Sequence, residues 1–284
     1  MRAFVLSGGG NYGPLQVGAL QVLLEHGIWP EILVGTSVGA LNASWLASVP
    51  TLAGLQNLAR IWVEGAPRLY SSINPLVIPL RLARSDGLLS NEPLLRIIQR
   101  WAPPEKTFGE LAGPRLFMVA TCLRDGSMRV FGDRSEDRPL DGLMSSTALP
   151  LIFPPWIVDG EAYIDGGTSC NLPLRVAAER GADEIIALQI CTSSSQTKEE
   201  HLHGTLAISM QAIFLLLGRL ANQEIENMKN EGSTRLHLIQ LHPDQDPGFW
   251  NFNSAVDMIL AGRRITEQYL HSPEAESLLV TARP

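Results

Sequence analysis

Apolar and polar positions fall into short blocks at the start of the chain. "AFVLS" (3–7) is a continuous apolar run ended by glycines, the pattern of a strand buried on both faces. "PLQVGALQVLLEHG" (14–27) follows, with Leu15, Ala19, Val22 and Leu23 at helical spacing. Pro14 sits where a first helical turn tolerates it, and Gly27 marks a stop. "EILVGTS" (31–37) predicts a second buried strand and "VGALNASWLAS" (38–48) a second helix. Strand, glycine loop, helix, strand, tight turn, helix is the opening of a parallel sheet.

Residues 65–90 break the rhythm with prolines, Ser71, Ser72, Asn74 and "RSDGLLS", and read as an inserted loop or cap. Ser90 can cap a helix through "NEPLLRIIQRW". "RLFMVATCLRDGSMRVF" predicts two strands joined at Asp125-Gly126, and "WIVDGEAYIDGG" repeats the device at Asp159-Gly160. A helix at 173–180, the strand "DEIIALQI", a helical segment at 205–228, the strand "RLHLIQL" and a last helix from Ser254 complete the chain. Asp257, three residues after Ser254, is read as its capping box. The expectation is one α/β domain over 1–284 with a cap-like insertion around 63–100 and no internal repeat.

Composition narrows the functional classes. The 284 residues are 45% hydrophobic and 18% charged, which excludes wholesale disorder. A formal net charge of -7 argues against a nucleic-acid-coating protein. Cys122, Cys170 and Cys191 are odd in number and scattered, without metal-site or disulfide spacing, so neither a metal nor a disulfide framework is expected. "MRAFVLSGGG" is too short in apolar residues for a signal peptide, and "LAISMQAIFLLLG" (206–218) falls short of the roughly 20 residues of a spanning helix. A soluble, cytoplasmic chain is the default expectation.

Three loops can carry chemistry. In "VGTSVGA", Ser37 stands where a strand turns into a helix, and Gly35 and Gly39 remove side chains that would clash there. The serine is either a nucleophile on a sharp turn or a small corner residue, and the strand-to-helix context favours the nucleophile. The loop "SGGGNYG" spans a G-x-G-x-x-G from Gly8 to Gly13, but the acidic residue that a dinucleotide site needs at the end of the second strand is missing. The alternative reading makes the amides of Gly8, Gly9 and Gly10 an oxyanion hole beside Ser37.

A serine nucleophile needs a base, and the histidines His26, His201, His203, His237, His242 and His271 are poorly placed, His242 being the least implausible. Asp165 in "YIDGGTSCNLP" ends a strand, and Gly166 and Gly167 allow close approach. With its pKa raised in a partly apolar pocket, it is the best available base.

"GGGNYG", "GTSVG" and "DGG", extended by "SSTALPLIFPP" and "NLPLRVAAERGADEIIAL", together resemble the patatin-like phospholipase family over most of residues 3–190. The resemblance implies a three-layer α/β/α sandwich with a mainly parallel central sheet, Ser37 and Asp165 as a catalytic dyad, and cleavage of acyl esters in lipids without a cofactor. It implies a lipid or lysophospholipid substrate and transient contact with a membrane surface; the oligomeric state is not read. The family commonly has Arg or Lys before the last glycine of its oxyanion loop, where this chain has Tyr12. That departure puts loop anchoring and the preference for charged head groups in question.

Three alternatives stand beside this reading. They are an acyltransferase or non-lipid esterase with the same dyad, a non-enzymatic nucleotide binder, and an ordinary α/β-hydrolase using His242. Trp62, Leu69, Tyr70, Ile73, Leu76, Val77, Ile78 and Leu80 could line an acyl path, although core packing is the reading favoured for most of them. "IFLLLG" (213–218) is expected to be a buried helix rather than one resting on a membrane.

Overall fold

The computed structural model describes residues 1–64, 85–101, 107–111, 113–191, 204–248 and 251–280. Its elements run β1 (Arg2–Leu6), α1 (Gly13–Glu25), β2 (Ile32–Thr36), α2 (Val38–Ser48), α3 (Leu52–Glu64), α4 (Glu92–Trp101), β3 (Arg115–Cys122), β4 (Met128–Phe131) and α5 (Pro139–Ser146). They continue with β5 (Trp156–Val158), β6 (Glu161–Asp165), α6 (Leu174–Glu179), β7 (Glu184–Ile190), α7 (Thr205–Glu231), β8 (Arg235–Leu241), α8 (Ala255–Leu270) and α9 (Glu276–Val280).

Among the described residues, eight strands form one sheet in the order β5-β6-β3-β2-β1-β7-β8, with β4 paired to β3. β3, β2, β1, β7 and β8 are parallel, while the two expected hairpins add antiparallel pairs at one edge. The central strands are buried on both faces, which is why they read as unbroken apolar runs. Their side chains alternate between two cores. Phe4, Leu6, Leu33 and Leu188 face α1, α2, α5 and α8, whereas Ala3, Val5, Val34 and Ala187 face α6 and α7. The result is the expected α/β/α sandwich.

Several details depart from the sequence reading. The Ser254 side chain makes no cap hydrogen bond, so the Ser254/Asp257 capping box does not form. Helices α3, α5 and α9 were not anticipated. The cap-like insertion falls mostly on residues 65–84, outside the described residues, as do Leu69, Tyr70, Ile73, Leu76, Val77, Ile78 and Leu80. Trp62 is core: it is buried, and its Nε1 donates to Asn42 Oδ1 at 3.0 Å.

The stretch expected to be buried is not. In α7, Leu215 is 48% exposed and Leu216 60% exposed. Only one flank of that helix, through Leu217, Ala221, Ile225 and Met228, turns inward. The helix runs for 27 residues, long and apolar enough to cross a membrane by length and composition alone.

Candidate active site

Parallel pairing aligns the ends of neighbouring strands. Leu6 of β1 pairs with Gly35 of β2, so the loops that follow both strands open at one edge of the sheet. The chain leaves β2 through Ser37, whose φ of 55° and ψ of -125° lie outside the regions an L-residue prefers. Such a conformation costs on the order of 1–3 kcal/mol and persists only where its surroundings enforce it. They do so here by close packing. A Cβ on Gly35 would stand 2.5 Å from the Gly39 carbonyl oxygen, and one on Gly39 would stand 2.3 Å from that of Leu6. Gly13, which opens α1, is packed as tightly against Val38 and Trp62.

Asp165 reaches this turn by a crossing. It ends β6 opposite Ala120 of β3, next to Val119, the residue paired with Thr36. The chain then passes over β3 so closely that a Cβ on Gly166 would lie 2.1 Å from the Val119 carbonyl oxygen. It is tied down by the Thr36 hydroxyl, which donates to the Cys170 carbonyl at 3.0 Å, and by the Gly8 amide, which donates to the Asn171 carbonyl at 3.1 Å. Segment 165–171 therefore runs beneath the turn that carries Ser37.

The carboxylate is 1% exposed. Its Oδ1 accepts the Gly167 amide at 2.8 Å, while the buried Oδ2 has no partner in regular hydrogen-bond geometry. Burial raises the pKa of Asp165 from 3.8 to about 6, opposed by the Ser37 hydroxyl and then by the Gly167 amide. The Ser37 hydroxyl thus approaches the carboxylate more loosely than a regular hydrogen bond would. Such contacts commonly tighten only when substrate is bound.

The glycine loop is divided in its commitments. The Gly8 amide is spent on Asn171, because the crossing segment is pinned there, so it is not free to receive an oxyanion. This corrects the expectation for Gly8. The amides of Gly9 and Gly10 donate to no acceptor among the described residues, and Gly10 takes a left-handed φ of 57°. The loop is anchored from outside. Tyr12 Oη donates to Asp246 at 2.5 Å, and Asn11 Nδ2 donates to the carbonyls of Gly248 and Asn251 at 2.9 and 3.0 Å. Tyr12 therefore does the anchoring that its departure from the basic residue put in question. Burial holds its pKa well above the usual tyrosine value, so the hydroxyl remains a donor.

Two residues escaped sequence reasoning. Ser146, at the end of α5, accepts the Ser37 backbone amide through Oγ at 2.8 Å. Asn171 lies against Gly8 and Gly167, its Oδ1 buried without a partner. No described histidine hydrogen-bonds to Ser37 or Asp165. His237 meets Tyr269 and His26 meets Glu267, while His242 is exposed at the end of β8, three strands from β2. His201 and His203 lie outside the described residues.

Comparison with known proteins follows the same geometry. The Patatin-like phospholipase family model matches residues 4–178. Patatin-like phospholipase domain-containing protein 7 of Mus musculus is 32% identical over 189 residues, 66% of this chain and 13% of that protein. A lysophospholipase of Scheffersomyces stipitis is 26% identical over 195 residues, 68% of this chain and 12% of that protein. The chain thus spans 12–13% of the length of these curated relatives. The crystal structure of VipD from Legionella pneumophila superimposes with a TM-score of 0.52 at 16% identity, covering 95% of this chain and 66% of that one, a likeness of fold alone.

Proposed function

This chain belongs to the patatin-like phospholipase family, and from that premise we propose that it is a lipid acyl hydrolase working through Ser37 and Asp165. The observation that carries the proposal is a buried, proton-hungry carboxylate under a strained serine turn. A carboxyl group with a pKa near 6 is ionised at neutral pH yet basic enough to take a proton from a neighbouring hydroxyl.

In the proposed reaction Asp165 accepts the Ser37 proton as Oγ bonds to the ester carbonyl carbon. The carbonyl oxygen becomes an oxyanion, held by the free amides of Gly9 and Gly10, with the amino-terminal end of α2 adding favourable potential. The tetrahedral species collapses, and Asp165 returns the proton to the departing alcohol oxygen. The acyl group remains on Ser37. Asp165 then activates a water by taking its proton, and the second collapse releases the fatty acid and restores the serine.

A lipid substrate suits the surroundings. The exposed Leu215, Leu216 and Leu220 of α7 lie along the helix whose inward Leu217 touches the Gly167 corner. An apolar flank beside the site supports transient contact with a membrane surface. Cys122, Cys170 and Cys191 are all free thiols, in keeping with a reducing compartment. The test is hydrolysis of p-nitrophenyl butyrate and of a lysophospholipid. Ser37→Ala and Asp165→Ala are expected to lose both activities with unchanged circular dichroism, and His242→Ala to keep them; an active Asp165→Ala enzyme would refute the dyad.

A further inference from the structure

Beside the glycine loop, the carboxyl ends of β7 and β8 floor a cavity of about 310 Å³ walled by α7. It shares Gly8, Gly9 and Asn171 with the site, so its occupant would be continuous with an ester held at Ser37. Its floor is a chain of amides: Gln240 Nε2 donates to Gln189 Oε1 at 3.1 Å, and Gln189 Nε2 donates to Asn222 Oδ1 at 3.2 Å. That chain consumes acceptors and leaves the Asn222 amide hydrogens to spare. Arg219 lines the cavity and forms no ion pair with any carboxylate among the described residues. No Asp or Glu lines the cavity, in a chain whose formal net charge is -7.

These groups decide what fits. An acyl chain laid on this floor would strip water from the amides of Gln189, Asn222 and Gln240 and from the guanidinium, returning no hydrogen bonds. An anionic group would accept from Arg219 and from Asn222 together, and charge-assisted bonds of this kind are the strong ones. Arginine's planar fork matches a phosphate with two donors at once. The carbonyl oxygen at the Gly9 amide and the cavity beyond it place the alcohol side of the ester there, which leaves the apolar flank of α7 to the acyl side.

We propose that this cavity is the head-group subsite of the enzyme and takes a phosphate-bearing glycerol ester, with Arg219 as the counter-charge. The proposal rests on the reading of the chain as a lipid acyl hydrolase and names the substrate class of that same site.

The experiment compares two esters that differ only in the phosphate-bearing group, 1-palmitoyl lysophosphatidylcholine and 1-monopalmitoylglycerol, on the full chain. Arg219→Gln is expected to lower the ratio of their kcat/KM values about tenfold or more, and Arg219→Lys to restore part of it. A ratio unchanged in Arg219→Gln would overturn the subsite while leaving the hydrolase standing. Calorimetry with glycerophosphocholine and, separately, inorganic phosphate needs no turnover, and it decides the cavity even if the protein hydrolyses neither ester. Saturable glycerophosphocholine binding that is lost in Arg219→Gln supports the proposal. Binding of inorganic phosphate alone would make this a free-phosphate site and overturn it, as would no binding of either.

Discussion

The backbone amide of Ser37 donates to Ser146 Oγ at 2.8 Å, so the strained turn at the end of β2 is held by the last residue of α5. Two residues further on, the Ala148 carbonyl accepts the amide of Asp165 at 2.9 Å. One short segment therefore fixes the positions of both members of the proposed dyad. Ser146 is fully buried, and replacing it by Ala leaves the Ser37 amide without an acceptor. An unsatisfied buried donor costs about 1–3 kcal/mol. Ser146→Ala is expected to lower kcat for a short-chain ester by about tenfold or more with KM little changed, read from steady-state kinetics.

Asp165 couples activity and stability to pH with opposite signs. As the proton acceptor it must be ionised, so kcat/KM is expected to rise with pH through about 6 and then level off. The folded pKa lies above the ordinary 3.8, so the fold favours the protonated form. The destabilisation is absent below the unfolded value, grows as pH rises and is complete above about 6. From 3.8 to about 6, at about 1.4 kcal/mol per tenfold change in proton affinity, it reaches about 3 kcal/mol. Asp165→Asn is thus expected to be inactive, yet more stable than the parent at pH 8 and nearly equal to it at pH 4. Denaturant unfolding at the two pH values reads this out, and an Asn variant less stable at pH 8 would contradict it.

Tyr12 tests the anchoring of the oxyanion loop. Tyr12→Phe removes the hydroxyl and leaves Asp246 without that donor. The expected cost is about 1–2 kcal/mol of stability, together with a fall in kcat as the Gly9 and Gly10 amides lose their support. Thermal unfolding and ester kinetics on the same variant measure both. A variant with full activity would show that the loop keeps its form through Asn11 alone.

The glycines at the nucleophile turn test the packing argument. In Gly39→Ala the new methyl group would stand 2.3 and 2.6 Å from the carbonyl oxygens of Leu6 and Ser7, both backbone atoms. No side-chain movement relieves such a clash. The variant is expected to lose several kcal/mol of stability, in the range of severe overpacking, and near-parental unfolding would contradict it.

Much of this geometry is legible in the chain because local rules and the global fold agree there. β1, β2 and β7 are buried on both faces, so each reads as an unbroken apolar run, and the parallel pairing that brings the glycine loop to Ser37 follows from them. Asp125-Gly126 and Asp159-Gly160 marked their hairpins through turn chemistry, with Gly126 and Gly160 at positive φ. The rest depends on contacts that no local pattern encodes. Asn171 holds Gly8 through its backbone carbonyl, which any residue type supplies. Ser146 sits in a helix that opens on Pro139 and mixes glycine with serines, a composition that reads as a loop until the sheet stands behind it. Leu215 and Leu216 read as core because hydropathy reports what a side chain would tolerate, and not whether a partner covers it.

The most direct measurement is labelling of the full chain with a fluorophosphonate, which reacts only with a serine activated toward attack at an electrophilic centre, followed by peptide mapping. A single adduct on Ser37, lost in Asp165→Asn and slowed below pH 6, is the expected result. An adduct on another serine, or labelling of Ser37 that survives removal of the Asp165 carboxylate, would contradict the account.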